Sequence, residues 1–126
     1  MNTSKKLPAE WEKQSFLQLT FPHQESDWAY LLDEVNACFV EIAETASRFQ
    51  DVLVVCDNVE RVKSYFKLTQ NIYFIQAESN DTWARDHGGI TILENANAVI
   101  HDYIFNGWGN KFDAGLDNQI TKNLYE

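Results

Sequence analysis

An α/β fold is predicted by three features of this chain. Residues 52–56, Val-Leu-Val-Val-Cys, form an uninterrupted apolar run, which suits a strand covered on both faces. A long stretch with apolar residues at helical spacing precedes it, over residues 28–49. A second apolar, strand-like run follows at residues 72–77, after a short helical segment. Strands and helices that alternate along a chain pack as layers of one on the other.

Each element has a local cause. Residues 1–14 are a polar lead in which Pro8 and Trp11 are expected to pin the segment to the body. Residues 15–21, Ser-Phe-Leu-Gln-Leu-Thr-Phe, alternate in part and read as the first strand. Pro22 ends it, because proline cannot donate to a central ladder. Within residues 28–49, Leu31, Val35, Cys38, Ile42 and Phe49 define an inward stripe, widened by Leu32, Phe39, Ala43 and Ala46. Asp33, Glu34, Glu41 and Glu44 take the other faces, and Ser26 or Asp27 is the expected N-cap. Asp57-Asn58 opens a helix over residues 59–68, with Val62, Tyr65 and Phe66 inward. Residues 89–94 and 98–105 read as a hairpin around the turn Glu94-Asn95-Ala96-Asn97. Residues 106–115 form a glycine-rich loop containing Trp108, and residues 116–125 begin a helix.

Composition narrows the function. The chain has 126 residues, which fits one domain, and its 44% hydrophobic content is that of a globular protein. A formal charge of −9 argues against nucleic acid and anionic membrane as partners. It suits a cationic ligand, and a solvated acidic surface explains it equally well. Cys38 and Cys56, the two cysteines, lack metal-ligand or redox-motif spacing. Both are expected to be buried, reduced thiols, Cys38 within the helix stripe. No run is long and apolar enough for a signal peptide or membrane span, which points to the cytoplasm.

The densest chemistry lies in the connector Asn80-Asp81-Thr82-Trp83-Ala84-Arg85-Asp86-His87-Gly88-Gly89. Polar groups at a strand mouth are held rigidly by the flanking strands, which is where binding sites are usually built. Its core, Trp83-Ala84-Arg85-Asp86-His87-Gly88, resembles the Trp-x-Arg-Asp-x-Gly segment of agmatine deiminases and the related bacterial peptidylarginine deiminases. Three further places resemble that family in the same order. They are Pro8-Ala9-Glu10-Trp11-Glu12, then Phe21-Pro22-His23 with Asp27-Trp28, and last Phe105-Asn106-Gly107-Trp108-Gly109-Asn110-Lys111-Phe112 with Asp117-Asn118-Gln119.

The resemblance implies a five-bladed α/β propeller, the pentein fold, of which residues 1–126 would form the first blade and part of the next. It implies hydrolysis of agmatine to N-carbamoylputrescine and ammonia, a step of putrescine and polyamine biosynthesis, without metal or organic cofactor. In the family a cysteine thiolate attacks the guanidinium carbon, ammonia leaves, and water hydrolyses the covalent intermediate. No position here matches the family's nucleophilic cysteine or catalytic histidine motifs. The chain is therefore expected to be an N-terminal segment, incomplete at its C-terminus and inactive alone, with a homo-oligomer compatible with it. Two alternatives stand beside agmatine: a peptidylarginine substrate, and a non-catalytic binding or assembly module.

By the same resemblance, Asp86 is the catalytic carboxylate. A carboxylate accepts two parallel N–H bonds from a planar guanidinium. Trp83 is assigned to substrate binding, its face against the alkyl chain or the cation. Arg85, His87 and Trp108 are assigned supporting or loop roles. Arg85 carries the ligand's own charge and would order nearby carboxylates or carbonyls. Asp81 reads as a turn former, and Asp117 and Asn118 have no assigned role. His23 and His101 read as hydrogen-bonded scaffold. Cys56 closes an apolar strand and is not assigned as nucleophile.

Overall fold

The structure, a computed structural model, describes residues 4–126. Two three-stranded sheets carry it. In the antiparallel sheet, β1 (Lys5–Lys6) pairs with β5 (Ile90–Glu94), which pairs with β6 (Asn97–His101). In the parallel sheet, β3 (Asp51–Cys56) lies between β2 (Phe16–Thr20) and β4 (Ile72–Gln76).

The apolar run at residues 52–56 is thus the middle strand, with Val52, Val54, Val55 and Cys56 buried and Leu53 only partly covered. Register aligns Leu19, Val54 and Phe74 on one face and Thr20, Val55 and Ile75 on the other. Helices α1 (Leu32–Ala46) and α2 (Val59–Lys63) cover the first face. There Phe21, Ala43, Val52, Val54, Cys56, Val62 and Ile72 form the main core. The second face meets α5 (Asp117–Tyr125), where Val55 packs with Ala77 and Ile120.

Several local expectations are corrected. The long helix opens as a 3₁₀ turn, Ala29–Leu31, and ends at Ala46. Neither Ser26 nor Asp27 caps it. Ser26 Oγ instead donates to His23 O at 2.7 Å and accepts from His23 N–H at 3.2 Å, closing a turn after β2. The inward face is also rotated. Asn36 and Ala43 are buried, with Phe39, Val40 and Ala46 packed on the core. Leu31 and Ile42 stay exposed, Cys38 is exposed rather than buried, and Phe49 beyond the helix is 85% exposed. Two apolar stripes about a quarter turn apart run along α1, and spacing alone does not rank them.

Helix α2 starts as expected, with Asn58 Oδ1 accepting from Arg61 N–H at 2.9 Å. It stops at Lys63, so Phe66 packs on the core while Tyr65 remains exposed. The N-terminal segment is not pinned by Trp11, which is 89% exposed. The pairing of Lys5 and Lys6 with Glu94 and Leu93 fastens it instead. Residues 1–3 of the expected polar lead lie outside the described residues. The hairpin forms with β6 ending at His101, short of residue 105. Its two turn residues, Asn95 and Ala96, have φ of 50° and 68°, the left-handed pair that matches strand twist in a tight hairpin. No helix among the described residues is long and apolar enough to cross a membrane.

Candidate active site

The connector leaves the carboxyl end of β4, beside the ends of β2 and β3. Open parallel sheets bind ligands at that end, where loops and helix starts converge. Two side chains tie the connector to the start of α5. Asn80 Oδ1 accepts from the N–H groups of Leu116 and Asp117 at 2.8 and 3.1 Å. Asp117 Oδ1 accepts in return from Asn80 and Asp81 N–H at 2.7 and 3.3 Å. The start of α5 and the start of the connector thus hold each other through carboxylate and amide, with Asp117 almost fully buried.

The segment after β2 grips the connector from the other side. His23 Nε2–H donates to Ser79 O at 3.0 Å, and its Nδ1 accepts from Glu25 N–H at 3.2 Å. Those two bonds define the tautomer and make His23 scaffold, as its isolation in the sequence suggests. Trp28 Nε1–H donates to Thr82 Oγ1 at 3.0 Å. The Trp28 ring lies 6.1 Å from that of Trp83, tilted by 47°.

Beyond Trp83 the chain makes one helical turn, α3 (Ala84–His87), where an open connector is predicted. Gly88 N–H closes it onto Ala84 O at 2.7 Å. A Cβ on Gly88 would lie 2.6 Å from that same oxygen, so the turn needs glycine for close approach. At Gly89 a Cβ would meet a side-chain methyl, Ile100 Cγ2, at 2.5 Å, so that side chain would have to shift.

This turn distributes the candidate residues. Asp86 is exposed, and its N–H donates to Trp83 O at 2.9 Å, placing the two residues one turn apart. The Trp83 ring is 48% exposed and is not a core residue. Arg85 is exposed, with no ion pair among the described residues. His87 points inward and is 2% exposed, with neither ring nitrogen hydrogen-bonded among the described residues. Burial holds its pKa below the ordinary histidine value, and the charges of Asp117, Asp86 and Asp81 only partly oppose this. Asp81 Oδ1 accepts from Thr82 N–H at 2.8 Å, as a turn former should. Burial raises the Asp81 pKa, against that bond, and Asp27 and Asp117 add to the rise.

Two other sequence candidates sit apart from this cluster. Cys56 is buried, and burial pushes its thiol up to about 11, so it is not a thiolate at neutral pH. His101 Nε2 meets Glu94 Oε1 at 3.0 Å across the hairpin. The glycine-rich loop contains one turn, α4 (Gly107–Asn110), wound left-handed, with φ of 61°, 55°, 78° and 61° along its four residues. Half-exposed Trp108 stands edge-on to Phe105 and Phe112, 5.0 and 5.6 Å away. Asn118 fixes the loop's entry by bonding both the N–H and the C=O of Phe105 at 2.8 Å.

The fold and site define an α/β protein whose carboxylates and indoles gather at the carboxyl end of a parallel sheet. The chain belongs to the Porphyromonas-type peptidyl-arginine deiminase family, whose model matches residues 6–126. The resemblance to the deiminase family is thereby borne out. The chain superposes on a substrate-bound agmatine deiminase variant from C. jejuni with a TM-score of 0.92, 37% identical over 98% of this chain and 37% of that one. A Porphyromonas gingivalis protein given the provisional name arginine deiminase is 46% identical, with a TM-score of 0.86, over 97% of this chain and 37% of its own. An agmatine deiminase from Pseudomonas aeruginosa is 27% identical over 96% of this chain and 35% of its own length. The chain spans little more than a third of the length of these relatives.

Sequence reasoning names Asp86 and Trp83 but misses the residues that hold them: Trp28, Asn80, Thr82 and Asp117. Phe21-Pro22-His23 and Asp27-Trp28 directly follow a strand, which was the available signal for Trp28. Nothing local to Asn80 or Asp117 announces a partner 37 residues away.

Proposed function

We propose that this chain forms the guanidine-binding wall of a deiminase that converts agmatine to N-carbamoylputrescine and ammonia. One observation carries the reading: a half-exposed Trp83, its ring tilted against that of Trp28, stands one helical turn from the exposed Asp86 at the sheet's carboxyl end. An indole face and a carboxylate are complementary to a planar cation with paired N–H donors. Asp86 accepts two of those N–H bonds and stabilises the protonated nitrogens as the guanidinium carbon becomes tetrahedral. Trp83 flanks the alkyl chain or the cation. Arg85, His87 and Trp108 support the wall without touching the reacting atoms. The nucleophile comes from outside residues 1–126, in a five-bladed α/β propeller of which this chain makes the first blade and part of the second.

A peptidylarginine substrate is the second reading, favoured by the description of the matching family. Both substrates present the same guanidinium to Asp86. The test is steady-state kinetics of Asp86→Asn in the whole deiminase containing residues 1–126, with agmatine and an arginine-containing peptide in parallel. The expected result is a loss in kcat/KM on the order of a hundredfold for whichever substrate is used. Unchanged kcat/KM on both substrates would remove Asp86 from the site.

A further inference from the structure

We propose that Trp28 is a positioning residue for the guanidine site. It sets the orientation of Trp83 directly and the placement of Asp81 through Thr82. The proposal rests on the reading of Trp83 and Asp86 given above.

Three observations carry it. First, an indole has one polar hydrogen, and that of Trp28 is committed to Thr82 Oγ1 at 3.0 Å across 54 residues of sequence. Second, Thr82 is nearly buried, so its hydroxyl rotor is fixed by whatever bonds it. With a lone pair engaged by Trp28, it donates onward to Asp81 Oδ1 at 3.4 Å, the same oxygen that accepts Thr82 N–H. Third, the Trp28 ring is tilted against Trp83, whose other surroundings leave it 48% exposed. Among the described residues, Trp28 supplies the aromatic ring that packs against this half-exposed tryptophan. The segment that delivers Trp28 is itself fixed at its far end by the His23–Ser79 bond, so the support is a braced arm rather than a loose contact.

The reaction therefore depends on a residue that touches neither the guanidinium nor the attacking group. The hydrogen bond and the ring contact are separable. Thr82→Val keeps the shape of Thr82 and removes the acceptor. Trp28→Phe keeps a ring and removes the donor.

In the whole deiminase, each is expected to raise KM for agmatine roughly fivefold, the worth of one neutral hydrogen bond, with kcat little changed. The double variant should be no worse than either single one, because both delete the same bond. Thr82→Ser, which keeps the hydroxyl, should restore most of the affinity. Far-UV circular dichroism gives a readout independent of turnover. The tilted indole pair should produce an exciton couplet that Trp28→Phe and Trp83→Phe abolish and Thr82→Val reshapes.

Trp83→Ala is the control. Unchanged KM in Trp83→Ala would overturn the reading of the site, and this proposal with it. Raised KM in Trp83→Ala, with parental KM and couplet in Thr82→Val, would overturn this proposal alone. Additive effects of Trp28→Phe and Thr82→Val would also overturn it, since the two side chains would then act separately.

Discussion

His87 shows how a single buried side chain can make this protein sensitive to pH. The folded structure holds its imidazole below its ordinary pKa of 6.5, chiefly by burial. In the unfolded chain it titrates near that ordinary value. As pH falls below 6.5, the unfolded state binds a proton that the folded state resists, so stability falls with pH. The neighbouring carboxylates of Asp117, Asp86 and Asp81 limit the loss but do not reverse its sign. Denaturation of the parent chain should therefore become easier between about pH 6.5 and pH 5.5, and His87→Gln should flatten that slope. Parallel slopes in the two proteins would show that His87 is not the group responsible. At this scale the sequence was half legible. The motif Trp83-Ala84-Arg85-Asp86 pointed to this connector as the candidate site, but the bonds from Trp28 and Asp117 cross more than thirty residues and have no local trace.

Among the elements, the left-handed turn α4 is the least expected. Left-handed backbone costs about 1–2 kcal/mol for each residue with a Cβ, and both Trp108 and Asn110 adopt it. The turn persists because its N–H groups are bonded: Asn110 to Asn106 O at 2.6 Å, Lys111 to Gly107 O at 3.0 Å, and Gly109 to Asn106 Oδ1 at 3.0 Å. Its two glycines differ in a testable way. A Cβ on Gly107 would collide with the backbone carbonyl of Phe112, whereas a Cβ on Gly109 would meet nothing. Gly109→Ala should cost about 1 kcal/mol through backbone conformation alone, and Gly107→Ala at least about 1 kcal/mol more. Urea titrations of both variants measure the difference, and equal losses would mean that the carbonyl yields. Glycines and an asparagine advertised a loop here, but not its handedness. The middle strand β3, by contrast, was legible because five consecutive apolar residues favour a central position in a sheet, although Leu53 stays partly uncovered. The long helix was legible in existence and misread in phase, since both of its apolar stripes satisfy the same periodicity.

At the scale of the whole molecule, apolar surface remains uncovered. Phe16, Leu53, Tyr73 and Ile75 on the second face of the parallel sheet, with Leu124 and Tyr125, line an open cleft of about 300 Å³. Leu31 in the 3₁₀ turn and Ile42 on α1 are exposed, and β2 and β4 each leave an edge unpaired among the described residues. Such faces and edges favour self-association. The 126-residue chain should therefore elute as a dimer or larger species in size-exclusion chromatography with light scattering. It should also release no ureido product from agmatine, its buried Cys56 thiol being protonated at neutral pH. A stable monomer would defeat the exposed-surface argument, and product that disappears in Cys56→Ala would restore Cys56 as a nucleophile. The reciprocal clasp of Asn80 and Asp117 also bears on how the protein is made. On the ribosome, residues 80–89 emerge well before the residue that secures them, 37 positions later. The wall of the site must wait for α5 to be synthesised and docked, so in pulse-labelled hydrogen exchange its amides gain protection together with α5, after those of the parallel sheet.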